Sequence, residues 1–476
     1  MAASVQVIEK ASHTCRRCRV RKQRCDRLLP GCTRCTSKLV KCDYSHLPTS
    51  SSDQSYSQQT NPLVEFGGCS WDLTSHDQTE LIKSALDHSF DKGSITTIKL
   101  TAQFHRILSE IKLTLASLFS DYRQSIHRWF PIADLEGKLE ISESPTESWL
   151  QPSTPLLWFS MLLVTTQHCG HADHLRRKRL YATLQSLCAV LRLRVDVDIN
   201  LIQAQALIAL YECSQAMPRQ AHLTLRVAIS MVDLMSFDTD ELESSLHWRV
   251  SLIILDRMIV LSGVEANIPL LCPPSCRLSR SVQASLLSDA EKEPQSPLSV
   301  SHKLQTISDV VLMAGRVLHY VQSSKGGITP AESYCSIDEG IKSMVKTLLG
   351  REKIYSGSYC DPMTMILCFV LILHQERSSQ LGCLSSSEEA LALHTSRRMV
   401  WDTCRMSLES KKDAGVTQVS YVSMCCVLHS LSIIAKDTDL ISDNKEVEKF
   451  LPILQRFNQR WAVGHTYLNT VRSALP

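Results

Sequence analysis

The sequence predicts a mostly α-helical protein with a small cysteine-rich N-terminal module, a flexible linker and a large all-helical domain. Glycine is scarce, at 16 of 476 residues, and aromatic residues make up 6%, which favours helices over a β-rich fold. From about residue 76, apolar residues recur at steps of three and four, the period of an amphipathic helix. Six cysteines crowd into residues 15–42.

Residues 1–14 are predicted to be a disordered lead, and residues 15–46 a module that metal must fold. Zinc prefers four ligands in a closed structural site. Two tetrahedral ions need eight bonds, and six sulfurs supply eight when two of them bridge. The pattern C-x2-C-x6-C occurs twice, so its symmetry predicts Cys15 and Cys32 as the bridging ligands of two zinc ions per chain. The predicted ligands are Cys15, Cys18, Cys25, Cys32, Cys35 and Cys42.

Cations surround the first half of this pattern. A short helix from about Cys18 to Arg24 would bring several of them onto one surface, which suits a polyanion such as double-stranded DNA. Residues 1–46 contain eleven Lys/Arg and three Asp/Glu, a net +8, while the other 430 residues sum to −5. A nucleic-acid partner is therefore predicted for this module alone. The cations between the first and third cysteines are Arg16, Arg17, Arg19, Arg21, Lys22 and Arg24.

The six cysteines, the basic run 18–26 and Pro30 resemble the fungal Zn(II)2Cys6 binuclear zinc-cluster transcription factors. In that family the lysine three residues before the third cysteine contacts a CGG triplet, and Lys22, beside Arg21, occupies this position. The resemblance implies a nuclear, sequence-specific DNA-binding regulator that works with the transcription machinery. The alternative is a zinc-binding nuclear protein-interaction or repressor module without its own sequence readout. The phosphate contacts expected under the first reading come from Arg16, Arg17, Arg19, Arg24 and Lys41.

Residues 47–75 are predicted to be a flexible linker, because runs such as Pro48–Ser55 are polar and cannot bury themselves. Many members of the family carry a dimerising coiled coil here. No run of three heptads occurs between residues 43 and 100. Monomer and homodimer therefore both stay open, as do the orientation and spacing of DNA half-sites.

Residues 76–476 are predicted to be an all-helical regulatory domain. The clearest helix covers residues 98–130 and ends at Pro131, and the Ser/Pro-rich interval 273–300 is read as a loop. Segments 122–132, 202–212, 248–263 and 457–462 resemble the fungal-specific transcription factor regulatory domain. This resemblance implies an RNA polymerase II activator of a metabolic gene set, such as a secondary-metabolite cluster. The later helices are expected at about 302–322, 332–350, 362–377, 386–411, 418–435 and 445–473.

Two other groups of residues could bind a metal, but neither has the spacing of a standard closed site. We expect the histidine-rich group to be a helix end or loop. The remaining thirteen cysteines are scattered and favour small core residues in a reducing compartment. The two groups are His168, Cys169, His171 and His174, and Cys272 with Cys276.

The sequence offers no catalytic motif, since phosphate-binding, dinucleotide-binding and zinc-protease signatures are all missing. We predict that the protein is not an enzyme. Asp256 and Arg257 are expected to form a structural ion pair, the run 176–179 a solvated helix face, and Cys425–Cys426 part of a core. No transmembrane helix and no secretory signal are expected.

Overall fold

The computed structural model separates the chain into two units, Met1–Thr60 and Asn61–Pro476. The boundary falls inside the predicted linker. The predicted lead lies outside the described residues except for Thr14, and the linker except for Ser75. The structure describes residues 14–15, 18, 21, 23–28, 31–38, 40, 75–86, 93–133, 153–166, 171–194, 198–235, 246–262, 267–290, 300–352, 360–382, 387–410, 420–435 and 451–474.

The chain is helical, as predicted. Among the described residues Leu28 makes an isolated β-bridge, and no strand occurs. The first unit contains helix α1, Thr33–Ser37. The helices of the second unit are α2 (Ser75–Leu86), α3 (Gly93–Glu110), α4 (Leu115–Tyr122), α5 (Thr154–Thr165), α6 (His171–Arg194), α7 (Ile199–Ser214), α8 (Pro218–Leu234), α9 (Leu246–Ser262), α10 (Arg277–Ala290), α11 (Val300–Lys325), α12 (Tyr334–Glu352), α13 (Cys360–Leu381), α14 (Ser387–Ser410), α15 (Tyr421–Ile434), α16 (Leu451–Arg460) and α17 (Val463–Ala474).

The second unit is built around helices that are buried on every side. Every residue of α5 is buried, as is almost every residue of α7, so neither shows the one-sided pattern of a surface helix. Helix α7 packs against α5 and α8, and α13 packs against α11, α14 and α15. Helix α9 contacts α7, α8, α11 and α15. One continuous hydrophobic core therefore runs through this unit.

The single helix predicted over residues 98–130 is wrong, because the chain breaks between α3 and α4. Lys112 adopts a left-handed conformation with φ +57°, and Leu113 N–H bonds back to Leu108 O at 2.9 Å, which ends α3. Thr114 then caps α4, since its hydroxyl accepts the N–H of Ser117 at 3.0 Å. After α4, residues 123–127 form a π-helical turn that leads to Pro131.

Two further expectations need correction. The interval 273–300, read as a loop, contains helix α10, whose buried residues Leu278, Val282 and Leu286 recur at four-residue steps. The helix expected over 445–473 is interrupted at 461–462, between α16 and α17. The other later helices form close to the expected limits.

The basic run on α6 is not a uniformly solvated face. Lys178 and Arg179 are exposed, but Arg177 is buried. Its Nη1 donates to Thr166 O at 3.1 Å, and its guanidinium lies 5.9 Å from the centroid of the Tyr211 ring. Arg177 therefore joins α6 to the end of α5 and to α7.

Asp256 and Arg257 form a structural ion pair, as predicted. Both are fully buried on α9, with Arg257 Nη1 donating to Asp256 Oδ2 at 2.5 Å. Backbone groups complete the network: Asp256 accepts the N–H groups of Leu271 and Cys272, each at 3.0 Å. Arg257 Nη2 donates to Cys272 O at 2.8 Å. The pair thus fastens the loop after α9 to the core.

Cys425 and Cys426 are fully buried in α15, which confirms their predicted place in the core. In the histidine-rich group, residues 168–169 lie outside the described residues. None of the helices that the structure describes is both long and apolar enough to cross a membrane.

Candidate metal centre and nucleic-acid interface

Five of the predicted zinc ligands lie together in the first unit. The Sγ atoms of Cys15, Cys18, Cys32 and Cys35 are all within 4.8 Å of one another, and all four side chains are buried. Cys15 Sγ lies 3.7 Å from Cys32 Sγ and 3.7 Å from Cys35 Sγ. Cys18 Sγ lies 3.8 Å from Cys32 Sγ, and the half-buried Cys25 places its Sγ 3.9 Å from that of Cys15.

These distances fit sulfurs that share a zinc ion. A Zn–S bond of about 2.3 Å and tetrahedral angles place two sulfurs about 3.8 Å apart. The observed separations are 3.7–3.9 Å. A disulfide would need about 2.05 Å. Burial raises the pKa of the Cys18 thiol, so a cation is needed to hold such sulfurs as thiolates. The donor set therefore fits structural zinc.

The backbone around the cysteines repeats with an offset of 17 residues. Gln23 N–H donates to Cys18 O at 2.8 Å, and Val40 N–H donates to Cys35 O at 3.0 Å. The two bonds are therefore formed at equivalent positions of the two halves. Helix α1 starts after Cys32, whose carbonyl accepts the N–H of Cys35 at 2.9 Å. The repeat is thus a property of the local fold as well as of the cysteine spacing.

Asp26 joins the two halves, a role that the sequence analysis missed. Its oxygens accept the N–H of Thr33 at 3.2 and 3.1 Å, and Oδ1 also lies 3.5 Å from Leu28 N. The hydrogen bond with Thr33 lowers the pKa of this carboxyl. Asp26 lies close to Cys25 and Cys32, but its oxygens are engaged by backbone groups. It therefore positions the chain around the sulfurs.

A sequence signal for Asp26 exists in the repeat. The dipeptide Cys25–Asp26 recurs as Cys42–Asp43, again 17 residues later. Cys42, the sixth predicted ligand, lies outside the described residues, as does Asp43.

The helix predicted from Cys18 to Arg24 ends early. Cys18 is helical, Arg21 lies in a turn, and Arg24 belongs to an irregular stretch. Arg21 and Arg24 are both exposed, so their charges can meet a ligand from solvent. The remaining cations proposed for DNA contacts lie outside the described residues; they are Arg16, Arg17, Arg19, Lys22 and Lys41.

A comparison with protein families supplies the decisive observation. Residues 13–51 match the fungal Zn(2)-Cys(6) binuclear cluster domain. The chain thus carries a zinc-cluster domain at its N-terminus, followed by a helical remainder. The domain supports zinc binding and a DNA-binding transcription regulator of the fungal zinc-cluster type. The resemblance of the remainder to a regulatory domain stays a prediction, because the match ends at residue 51. The comparisons with curated proteins and with solved structures found no match.

Proposed function

We propose that this protein is a nuclear, sequence-specific transcription regulator that reads a CGG-type half-site with its zinc-cluster domain. The carrying observation is the match of residues 13–51 to that domain, at a site where five thiols lie at zinc-bound separations. The helical unit is the regulatory part. Family resemblance favours an RNA polymerase II activator of a metabolic, secondary-metabolite gene cluster.

The sulfur geometry supports two zinc ions with Cys15 and Cys32 as shared ligands. Each of the Sγ–Sγ separations of 3.7–3.9 Å given above involves Cys15 or Cys32. One ion would be bound by Cys15, Cys18, Cys25 and Cys32. By the 17-residue offset, Cys42 corresponds to Cys25, so the second ion would be bound by Cys15, Cys32, Cys35 and Cys42. A site closed by four sulfurs has no position for water, so it stabilises the fold and does not catalyse.

The distribution of charge supports DNA binding through the first half of the domain. Six cations lie between Cys15 and Cys25, against three between Cys32 and Cys42. We assign base contacts to Lys22 and Arg21, because lysine and arginine pair with the O6 and N7 acceptors of guanine. The phosphate contacts are assigned to Arg16, Arg17, Arg19, Arg24 and Lys41.

A binding-site selection from random DNA, made with the full zinc-loaded chain, tests the base contacts. The wild type should enrich a CGG triplet. Lys22→Ala should weaken the preference by about 1–3 kcal/mol, or roughly 5- to 150-fold, since it removes one good base contact. The matched control is Lys38→Ala, which changes the exposed residue equivalent to Arg21 in the second half. It should keep the triplet, whereas an unchanged preference in Lys22→Ala would refute the assignment.

A salt titration of the same complex tests the phosphate contacts. Five contacts predict a slope of log K against log salt of about −4 to −5, because each neutralised phosphate releases counterions. The preference for the triplet should survive as the affinity falls. The alternative, a protein-interaction or repressor module without its own readout, predicts no preference at any salt concentration.

A further inference from the structure

Two cysteines in the loop between α9 and α10 lie side by side. The sequence from 272 to 276 is Cys-Pro-Pro-Ser-Cys, and the N–H of Cys276 donates to Pro273 O at 3.0 Å, which closes a tight turn. The two thiols are close enough for each to shift the pKa of the other. Cys272 is fully buried, whereas Cys276 is partly exposed. The Cys276 thiol can therefore react with a reagent from solvent, whereas the Cys272 thiol is shielded from it.

Cys276 sits at the start of a helix, where a negative charge is stabilised. Its carbonyl accepts the N–H of Arg280 at 3.1 Å, so Cys276 is the N-cap of α10. Its Sγ accepts the N–H of Ser279 at 3.3 Å, and the Ser279 hydroxyl is also 3.3 Å away. The hydrogen bond from Cys272, followed by those from Ser279, lowers the pKa of Cys276 to about 6, although partial burial opposes the shift. Cys276 is thus mostly thiolate at neutral pH.

The other thiol is held in place by its backbone. Cys272 N–H donates to Asp256 Oδ2, and Cys272 O accepts from Arg257 Nη2, which fixes the residue to the buried ion pair. The hydrogen bond to Cys276 and burial raise the pKa of Cys272 well above its usual value, so Cys272 stays a protonated thiol. A partly exposed thiolate next to a buried, protonated thiol is the arrangement of an attacking and a resolving cysteine.

We propose that Cys272 and Cys276 form a redox-active dithiol, which hydroperoxides oxidise to an intramolecular disulfide. In the first step the Cys276 thiolate attacks one oxygen of hydrogen peroxide. An S–O bond forms, the O–O bond breaks, and hydroxide leaves and takes a proton to become water. In the second step the Cys272 sulfur gives up its proton and attacks the Cys276 sulfenic acid. The S–S bond forms and a second water leaves, so two thiols and one peroxide become a disulfide and two waters.

Oxidation of Cys272 and Cys276 can be measured separately from oxidation of the zinc ligands. Trypsin cuts after Arg257 and Arg277, and the peptide between these cuts contains Cys272 and Cys276 and no other cysteine. Disulfide formation there appears as the loss of two hydrogens and of both alkylation sites. Oxidation of the six zinc ligands is followed separately, by the release of zinc from the same sample.

The experiment treats the full zinc-loaded chain with a small excess of hydrogen peroxide, alkylates the remaining thiols and analyses this peptide by mass spectrometry. The wild type should form the disulfide. Cys272→Ser should instead accumulate a sulfenic acid on Cys276, which dimedone captures. Cys276→Ser should leave Cys272 reduced. Cys335→Ser is the matched control, since Cys335 is exposed near the start of another helix, α12, and its removal should change nothing.

The pH dependence of Cys276 alkylation gives a second readout that packing alone would not produce. In the native chain the rate should be half-maximal near pH 6, and in the chain unfolded by urea near pH 8.5. Ser279→Ala should move the native midpoint upwards, because the Ser279 side chain contributes to the lowered pKa of Cys276. The proposal is overturned if the native midpoint equals the unfolded one. It is also overturned if peroxide leaves both thiols of the peptide reduced, or if Cys272→Ser gives no dimedone adduct.

Discussion

Gly315 lies in the middle of α11, where glycine costs about 0.5–1 kcal/mol relative to alanine. The buried ion pair of α9 explains its presence. A Cβ at Gly315 would lie 3.0 Å from Arg257 Cζ and closer still to Nη2. Arg257 is fully buried and is bonded to Asp256 at 2.5 Å and to Cys272 O at 2.8 Å. An alanine would therefore have to push the guanidinium away from its partners.

The expected loss follows from two opposing effects. Breaking a buried ion pair costs about 3–5 kcal/mol, and replacing a helical glycine recovers up to about 1 kcal/mol. We expect Gly315→Ala to lower the free energy of unfolding by about 2–4 kcal/mol. Denaturant unfolding of the full chain, followed by far-UV circular dichroism, measures this difference.

Two other glycines, both in α12, provide controls. A Cβ at Gly340 would meet the terminal methyl of Met313 at 2.9 Å, and this flexible side chain can turn away. A Cβ at Gly350 would meet nothing within 4 Å. Gly350→Ala should therefore stabilise the chain by up to about 1 kcal/mol, and Gly340→Ala should stay within about 1 kcal/mol of the wild type. If Gly315→Ala destabilises the chain no more than Gly340→Ala, the reasoning about Arg257 is refuted.

Three further predictions test the metal centre and the core. Cys32→Ser should reduce the bound zinc from two ions to none, and Cys35→Ser from two to one, because Cys32 is assigned to both ions and Cys35 to one. Metal analysis measures both losses, and equal losses would contradict that assignment. Arg460→Met should raise the free energy of unfolding by about 1–4 kcal/mol in denaturant titrations. The reason is that none of the described residues accepts a hydrogen bond from this buried guanidinium, which stacks on Trp461. A loss of stability would show that the stacking contributes more than the burial of the charge costs. Acidification from pH 6.5 to 4 should cost up to about 3 kcal/mol of stability, since burial lowers the pKa of His429 to about 4 while the unfolded chain takes up its proton near 6.5. His429→Gln should flatten this pH dependence, and an equal slope in both proteins would rule out His429 as its source.

The metal centre could be anticipated because its information is local. Cysteine spacing alone indicated which sulfurs meet, and the structure brings five of the six together. The backbone contacts of Asp26 depend instead on how the two halves fold against each other. The repeated Cys-Asp dipeptide marks that position but does not reveal its partner, Thr33.

The errors in the helical unit have a physical cause in each case. The break at Lys112 leaves the apolar period undisturbed, because Leu108, Ile111 and Leu115 keep their spacing across it. No glycine or proline marks this break, and only Thr114 signals a new helix as its cap. Helix α10 was hidden because serine and proline dominate the composition of 273–300, although its apolar residues keep a helical spacing.

Arg177 shows a different limit of sequence reasoning. It belongs to a run of four cations, which favours a solvated surface, yet it shares the buried face of α6 with Leu180, Leu184 and Leu191. The position of Arg177 on the helix therefore decides its burial more than its charge does. The Thr166 carbonyl and the face of the Tyr211 ring compensate for the loss of water around the guanidinium. Such compensation comes from other helices and is invisible in the local sequence.

The zinc-cluster domain combines a symmetric scaffold with an asymmetric charge. Gln23 and Val40 make equivalent hydrogen bonds to Cys18 and Cys35, so the described residues of the two halves share this backbone contact. The cations, concentrated between Cys15 and Cys25, distinguish them. Under the proposed function, the first half contacts a short DNA sequence, while the second half completes the metal cluster. Because the rest of the chain carries a net negative charge, it adds no general attraction to phosphate. Under the proposed function, specificity beyond one triplet would come from a second DNA-binding module, supplied by a copy of this chain or by a partner protein.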